Sequence, residues 1–202
     1  YMSIQSKLAV IGAGNGGAAG AYTIAIRNLA AEVSLIDINE HKESGEVMDI
    51  ADGMCFLDTG CVRGADFKDA RDADIIIHTA GSNQREGDTR LSLLEKNKEI
   101  TRAIFSAIGK FKKDAIVIVV ANPVDVITFL AQKITGLPAA QVFGTGTALD
   151  TERLKTNLAN ELSVSAKSVS GYVLVEHGDS EFVAWSSVHV GGTPISQIKK
   201  IN

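Results

Sequence analysis

The run Gly12-Ala13-Gly14-Asn15-Gly16-Gly17 constrains this chain more than any other feature. It fits G-x-G-x-x-G, a spacing that also arises by chance, so its setting carries the argument. The apolar stretch Leu8-Ala9-Val10-Ile11 comes directly before it and reads as a buried strand. A helical pattern from Ala18 to Leu29 opens behind it, and a second strand, Val33-Ser34-Leu35-Ile36, ends at Asp37. Strand, glycine turn, helix and an acid about 20 residues further on are the parts of a dinucleotide-binding unit. Gly12 permits the tight turn, Gly14 lets backbone approach a pyrophosphate, and Gly17 lets helix pack closely on strand. Free N–H groups at the helix start favour phosphate. The Asp37 carboxylate accepts ribose hydroxyls and repels a 2′-phosphate, which selects NAD over NADP. The bland alternative is a glycine-rich turn, with Asp37 merely ending a strand.

The alternation continues. A helix is expected from Asn39 to Met54, a strand over Asp74-Ile75-Ile76-Ile77, a polar loop from Gly81 to Thr89 and a helix over Arg90 to Ile108. Ile116 to Val120 is the clearest strand, and Asn122-Pro123 reads as a helix cap followed by a first-turn proline. Uninterrupted apolar strands imply a sheet covered on both faces. The expected fold class is α/β, a Rossmann-type doubly wound parallel sheet followed by the start of an α+β domain. The NAD-binding part is placed at residues 1–145 and the partial second domain at 146–202. In the latter, Ala148 to Leu162 reads as a helix, Ser168 to Val175 and Phe182 to Val190 as strands, and Gly191-Gly192 as a turn.

Composition excludes several classes. The 202 residues are 45% hydrophobic and 22% charged with net charge −4, and no basic stripe suggests a nucleic-acid partner. Two cysteines, Cys55 and Cys61, are too few for a disulfide scaffold, and no His/Cys spacing suggests a metal site. The longest apolar run, Ala115 to Ala121, is too short to span a bilayer. A cytoplasmic location without membrane association is the expectation.

Further motifs stand in order along the chain. They are Thr79-Ala80-Gly81-Ser82-Asn83-Gln84, Thr89-Arg90-Leu91, Ala121-Asn122-Pro123-Val124-Asp125, Gly144-Thr145-Gly146-Thr147 with Leu149-Asp150-Thr151-Glu152-Arg153, and Glu176-His177-Gly178-Asp179-Ser180. Together with the glycine turn they resemble the motifs of the L-lactate/malate dehydrogenase family from Lys7 to about Gly192. The resemblance implies an NAD-dependent oxidoreductase acting on a small 2-oxo or 2-hydroxy acid. It also implies a homo-oligomer, dimer or tetramer, and a chain lacking the family's C-terminal helices.

Residue by residue, the resemblance makes His177 the acid/base, a role that suits histidine as a residue type. Asp150 is implied to orient His177, Arg153 to grip the substrate carboxylate, and Arg90 to polarise the carbonyl from a closing loop. Asp150 and Arg153, three apart on a helix, share a face. Asn15, Thr79, Ala80, Gly81 and Asn122 are implied to contact the cofactor, with Asn122 also near the substrate carbonyl. Plainer alternatives are a surface turn for His177, helix capping for Asp150 and Asn122, and an exposed arginine for Arg153. Gln84 stands where malate dehydrogenases place an arginine for a second carboxylate. A neutral side chain there favours pyruvate or another 2-oxo monocarboxylate over oxaloacetate. Malate dehydrogenase is the alternative, because Arg85 lies one position away. Ser170-Gly171-Tyr172 and Phe182 to Ser186 also resemble L-2-hydroxyisocaproate dehydrogenases, which take bulkier branched substrates. A third reading is a truncated NAD-binding module without turnover.

Val175 departs from the pattern, because relatives usually carry glycine before Glu176-His177. A β-branched residue is awkward there if the backbone is unusual. Lys155 and Ser170 replace the arginine and histidine of relatives activated by fructose 1,6-bisphosphate.

Overall fold

The computed structural model describes residues 6–57, 60–82 and 89–198, with the side chain of Arg90 outside that set. The chain divides into two compact units, residues 1–144 and 145–202.

The first unit is built on six parallel strands: β1 (Lys7–Ile11), β2 (Glu32–Ile36), β3 (Cys61–Gly64), β4 (Ile75–His78), β5 (Ile116–Val119) and β6 (Val142–Gly144). Their order in the sheet is β3-β2-β1-β4-β5-β6, that of a doubly wound dinucleotide-binding fold. The order reverses between β1 and β4, where Ile11 is in register with His78. Open sheets of this kind bind ligands at that crevice, beyond the carboxyl ends of the strands.

The alternation within β1 explains the two covered faces. Leu8 and Val10 point to one side, with Val33 and Leu35 of β2, beneath α1 (Asn15–Ile26) and α2 (Glu40–Asp52) through Ala21, Ile24, Ala25 and Ile50. Ala9 and Ile11 point to the other, with Ile76, Val117 and Val119. That side is closed by Ile104, Phe105 and Ile108 of α3 (Arg90–Ile108) and Ile127 and Ala131 of α4 (Val124–Thr135). The ring of Phe105 is fully buried, and truncating such a residue to alanine costs about 3–5 kcal/mol.

Two helix starts differ from the sequence reading. α1 begins at Asn15, three residues before Ala18, because its first turn is the glycine-rich stretch and carries no apolar period. Asn122 is not a helix cap. Pro123 holds that position with ψ 115°, and the first helical bond runs from Ile127 N–H to the Pro123 carbonyl. The Asn122–Pro123 peptide is cis.

In the second unit α5 (Ala148–Leu162) packs Leu158 and Ala159 against Val169, Val188 and Ile195. The two long strands expected here are short pieces instead, β7 (Val169–Ser170) with β8 (Val173–Leu174) and β9 (Phe182–Val183) with β10 (His189–Val190), while β11 (Thr193–Pro194) follows the Gly191-Gly192 turn and pairs with β10. Gly171 parts β7 from β8 where a Cβ would lie 2.9 Å from the Val188 side chain. A 3-10 turn at Trp185–Ser187 parts β9 from β10. Among the described residues no helix is long and apolar enough to cross a membrane.

Candidate functional site

At the carboxyl end of β1 the glycines separate by function. Gly12 has φ +105°, and a Cβ there would meet the Ala80 backbone and the Thr79 hydroxyl at 2.8 Å. A Cβ on Gly17 would lie 1.7 Å from the Gly12 carbonyl oxygen. Both positions are therefore reserved for glycine by the fold itself. Gly14 is different: its φ is −70° and a Cβ would meet nothing within 4 Å. Nothing among the described residues demands glycine there, so the vacancy faces outward. Gly14 caps α1 without a side-chain hydrogen bond, and Asn15 behind it is exposed. The helix start thus presents backbone N–H groups, a setting that favours an anion.

Asp37 is anchored beside this turn. Its Oδ2 accepts from Ala13 N–H at 2.6 Å and its Oδ1 from Asn39 N–H at 2.9 Å. A carboxylate has about four lone-pair sites, so acceptor capacity is left for hydroxyl groups. The Thr79 hydroxyl lies against the Ile11 and Gly12 carbonyls at 2.9 and 3.1 Å, which clamps β4 to the glycine turn. Ala80 is partly buried and Gly81 exposed in the loop that follows. These residues form a donor-rich edge beside one fixed acid, and that donor set fits a dinucleotide.

A buried relay supports this end of the sheet, and the sequence reading missed it. Asn97 of α3 is 2% exposed. Its Oδ1 accepts from Ser82 N–H at 2.7 Å and its Nδ2 donates to the Asn122 carbonyl at 2.6 Å. One side chain therefore ties together the loops after β4 and β5. Thr101, one turn on, donates to the Asn97 carbonyl, so His78 must donate through Nε2 to the Thr101 oxygen at 3.0 Å. Among the described residues His78 Nδ1 is buried without a partner, and burial pushes this imidazole down to a pKa of about 4. No sequence motif marks Asn97, though a polar residue on the buried face of an amphipathic helix is a usable signal.

In the second unit, Asp150 lies in the first turn of α5 and is not its cap, which is Thr147. The Asp150 side chain is 10% exposed, and its Oδ2 lies 2.6 Å from His177 Nδ1. Its Oδ1 accepts from Arg153 Nη1 at 3.2 Å, as the three-residue spacing implies. Arg153 extends outward, with its side chain 63% exposed. Two threonines of the same helix region fix the backbone leading to His177. Thr147 donates to the Val173 carbonyl at 2.7 Å, and Thr151 accepts from Val173 N–H at 3.0 Å. Val175, two residues before His177, has φ +82°, the unusual backbone suspected from the sequence. Glu181, absent from the quoted motifs, brings its Oε2 within 3.8 Å of His177 Nδ1. Only its place four residues after the histidine could have flagged it. A histidine, a buried acid and an outward arginine can exchange a proton and hold an anion.

Arg90 is the first residue of α3, but its side chain is not described, and Gln84 and Arg85 lie outside the described residues.

Residues 6–144 match the family profile described as lactate/malate dehydrogenase, NAD binding domain, and residues 147–202 match the alpha/beta C-terminal domain of the same family. The chain belongs to the lactate/malate dehydrogenase family. L-lactate dehydrogenase from Acetivibrio thermocellus is 42% identical over 96% of this chain and 61% of its own length. The ligand-bound crystal structure of the minor L-lactate dehydrogenase from Enterococcus mundtii superposes with TM-score 0.91 at 42% identity, covering 96% of this chain and 62% of that one. A lactate dehydrogenase from Cryptosporidium parvum, solved with lactic acid and nicotinamide adenine dinucleotide, gives TM-score 0.89 at 38% identity, covering 96% of this chain and 62% of that one. This member of the family thus spans about three fifths of the length of the relatives it matches.

Proposed function

We propose that the protein is an NAD-dependent L-2-hydroxy acid dehydrogenase, with pyruvate and L-lactate as the preferred pair. The observation that carries this reading is the contact of 2.6 Å between His177 Nδ1 and the buried carboxylate of Asp150. Because Nδ1 faces Asp150, proton exchange with the substrate oxygen falls to Nε2. Asp150 holds the ring in that tautomer and stabilises the imidazolium. Arg153 grips the substrate carboxylate with N–H groups beyond the one on Asp150. Arg90 is assigned to polarise the carbonyl oxygen, and Asn122, its carbonyl held by Asn97, to border the substrate. The edge formed by Gly12, Gly14, Asn15, Gly17, Asp37, Thr79, Ala80 and Gly81 would hold NAD(H). When bound, that cofactor supplies or accepts the hydride. Gln84 sets the preference for a single substrate carboxylate, and relatives named L-lactate dehydrogenase support pyruvate over oxaloacetate.

The test is a panel of 2-oxo acids with NADH, followed by loss of absorbance, on this protein and on His177→Asn. Pyruvate should be reduced and oxaloacetate poorly, and the variant should lose turnover while still binding NADH. Efficient oxaloacetate reduction overturns the role of Gln84, and near-normal turnover in the variant overturns that of His177. A second reading is dinucleotide binding without turnover. NADH binding with no turnover on any acid would select it. A dimer or tetramer in the cytoplasm completes the proposal, and light scattering on the purified protein tests the assembly.

A further inference from the structure

We propose that Asp150, His177 and Glu181 also form a site for one Zn²⁺ ion, which competes with the pairing of acid and imidazole. This inference rests on the preceding reading only for its consequence, inhibition. The site itself stands on geometry. One ligand atom from each residue, the imidazole nitrogen and two carboxylate oxygens, lies within 4.8 Å of the others. Zn²⁺ binds nitrogen and oxygen at about 2.0–2.2 Å, so tetrahedral ligand atoms stand roughly 3.4 Å apart. The Glu181 oxygen, 3.8 Å from Nδ1, is close to that spacing already. The Asp150 Oδ2, 2.6 Å from Nδ1, needs to open by less than an ångström, about the room an ion needs when it replaces the shared proton. That proton leaves to solvent as the ion enters.

The surroundings suit an ion with an open coordination position. Asp150 and Glu181 both line a cavity of about 430 Å³ that also touches Arg153, Asn157 and Phe182. Water from this cavity can supply the fourth ligand, giving three protein ligands plus water. Asp150 is nine-tenths buried, so one ligand is preorganised, whereas Glu181 is 35% exposed and free to adjust. Arg153 stays on Oδ1, so the ion uses Oδ2. The sequence shows no metal spacing because Asp150 comes from a helix and the other two from a turn 27 and 31 residues later.

The experiment is calorimetric titration with Zn²⁺ alone, without NADH or substrate, so absence of turnover would leave it unaffected. It uses a Cys55→Ser, Cys61→Ser background, because both exposed thiols are competing ligands. One ion per chain is expected, weakened by at least about tenfold in Glu181→Gln and in His177→Asn. Circular dichroism and the fluorescence of Trp185 check that each variant is folded. No binding to the folded background protein overturns the proposal, as does equal affinity in the Glu181→Gln protein.

Discussion

Replacing Val175 by glycine should stabilise the second unit, although it removes a side chain. Val175 sits at φ +82° with 62% of its surface exposed. The left-handed region costs an L-residue about 1–2 kcal/mol, and a β-branched side chain belongs at the upper end of that range. Glycine pays nothing there, but it gives the unfolded chain freedom worth about 0.5–1 kcal/mol. Full burial of a valine is worth about 1.5–3 kcal/mol, so this mostly exposed side chain contributes about 0.5–1 kcal/mol. These terms leave a net stabilisation of roughly 0.5 kcal/mol, while Val175→Ala, which keeps the Cβ but loses the branch, should be near neutral. Trp185 is the one tryptophan of the chain and lies in the second unit, so its fluorescence follows that unit during urea unfolding. With a slope of about 1 kcal/mol per molar urea, the Val175→Gly midpoint should rise by about 0.5 M. A midpoint falling in the order valine, alanine, glycine would refute the strain argument. It would mean that the contacts of the valine outweigh its backbone cost.

The glycine turn gives a paired prediction. Gly17→Ala forces a Cβ to 1.7 Å from a backbone oxygen and should destabilise by about 2–3 kcal/mol, read as a drop in thermal midpoint. Gly14→Ala meets no described atom within 4 Å and should leave stability within about 1 kcal/mol, because alanine's lower unfolded-state entropy is offset by its poorer capping, yet weaken NADH binding at least about tenfold in a fluorescence titration. Unchanged NADH affinity in Gly14→Ala would remove that vacancy from the cofactor site. His78 predicts an acid sensitivity. Its pKa falls from an ordinary 6.5 to about 4 on folding, so below pH 6.5 the unfolded chain takes up a proton that the folded chain refuses. Stability is complete above that point and declines down to about pH 4, by on the order of 3 kcal/mol in all. Urea midpoints from pH 7.5 to 4.5 should slope accordingly, and His78→Asn should flatten the slope; an equal slope in both proteins would exclude His78 as its source.

The parts of the fold that sequence reasoning reached are those where one physical signal dominates. α3 and α5 fall at Arg90–Ile108 and Ala148–Leu162, the ranges read from the sequence, because their apolar period is bounded by Thr89 and Gly109 in one case and by Gly146 and Ser163 in the other. β1, β2, β4 and β5 stand out because a strand covered on both faces must be apolar at nearly every position. β3 did not stand out: Cys61-Val62-Arg63-Gly64 is an edge strand with only Val62 buried, so its pattern carries little apolar signal. The short strands of the second unit were read as long ones for the opposite reason. Apolar residues continue through Gly171-Tyr172 and Ala184-Trp185, but pairing is broken there by backbone geometry that hydrophobicity does not record.

The candidate site divides along the same line. His177, Asp150 and Arg153 were legible because ionisable residues stand in ordered motifs, and a three-residue helical step already implies the Asp150–Arg153 contact. Asn97 and Glu181 were not, since each matters only through what the fold brings beside it. Asn97 becomes important once two loops, 15 and 25 residues away in sequence, converge on one amide. A buried amide left half-satisfied would cost about 1–3 kcal/mol for each orphaned partner, so the geometry of Asn122 depends on Asn97 as much as on its own identity. Val175 shows the reverse case. Its departure from the pattern the chain resembles is visible in the sequence, and φ +82° supplies the physical content: the turn before the histidine holds a valine in a conformation that favours glycine. The local backbone is therefore set by the contacts on either side, Thr147 and Thr151 on Val173 and Asp150 on His177, which together hold a conformation that the intervening residue disfavours.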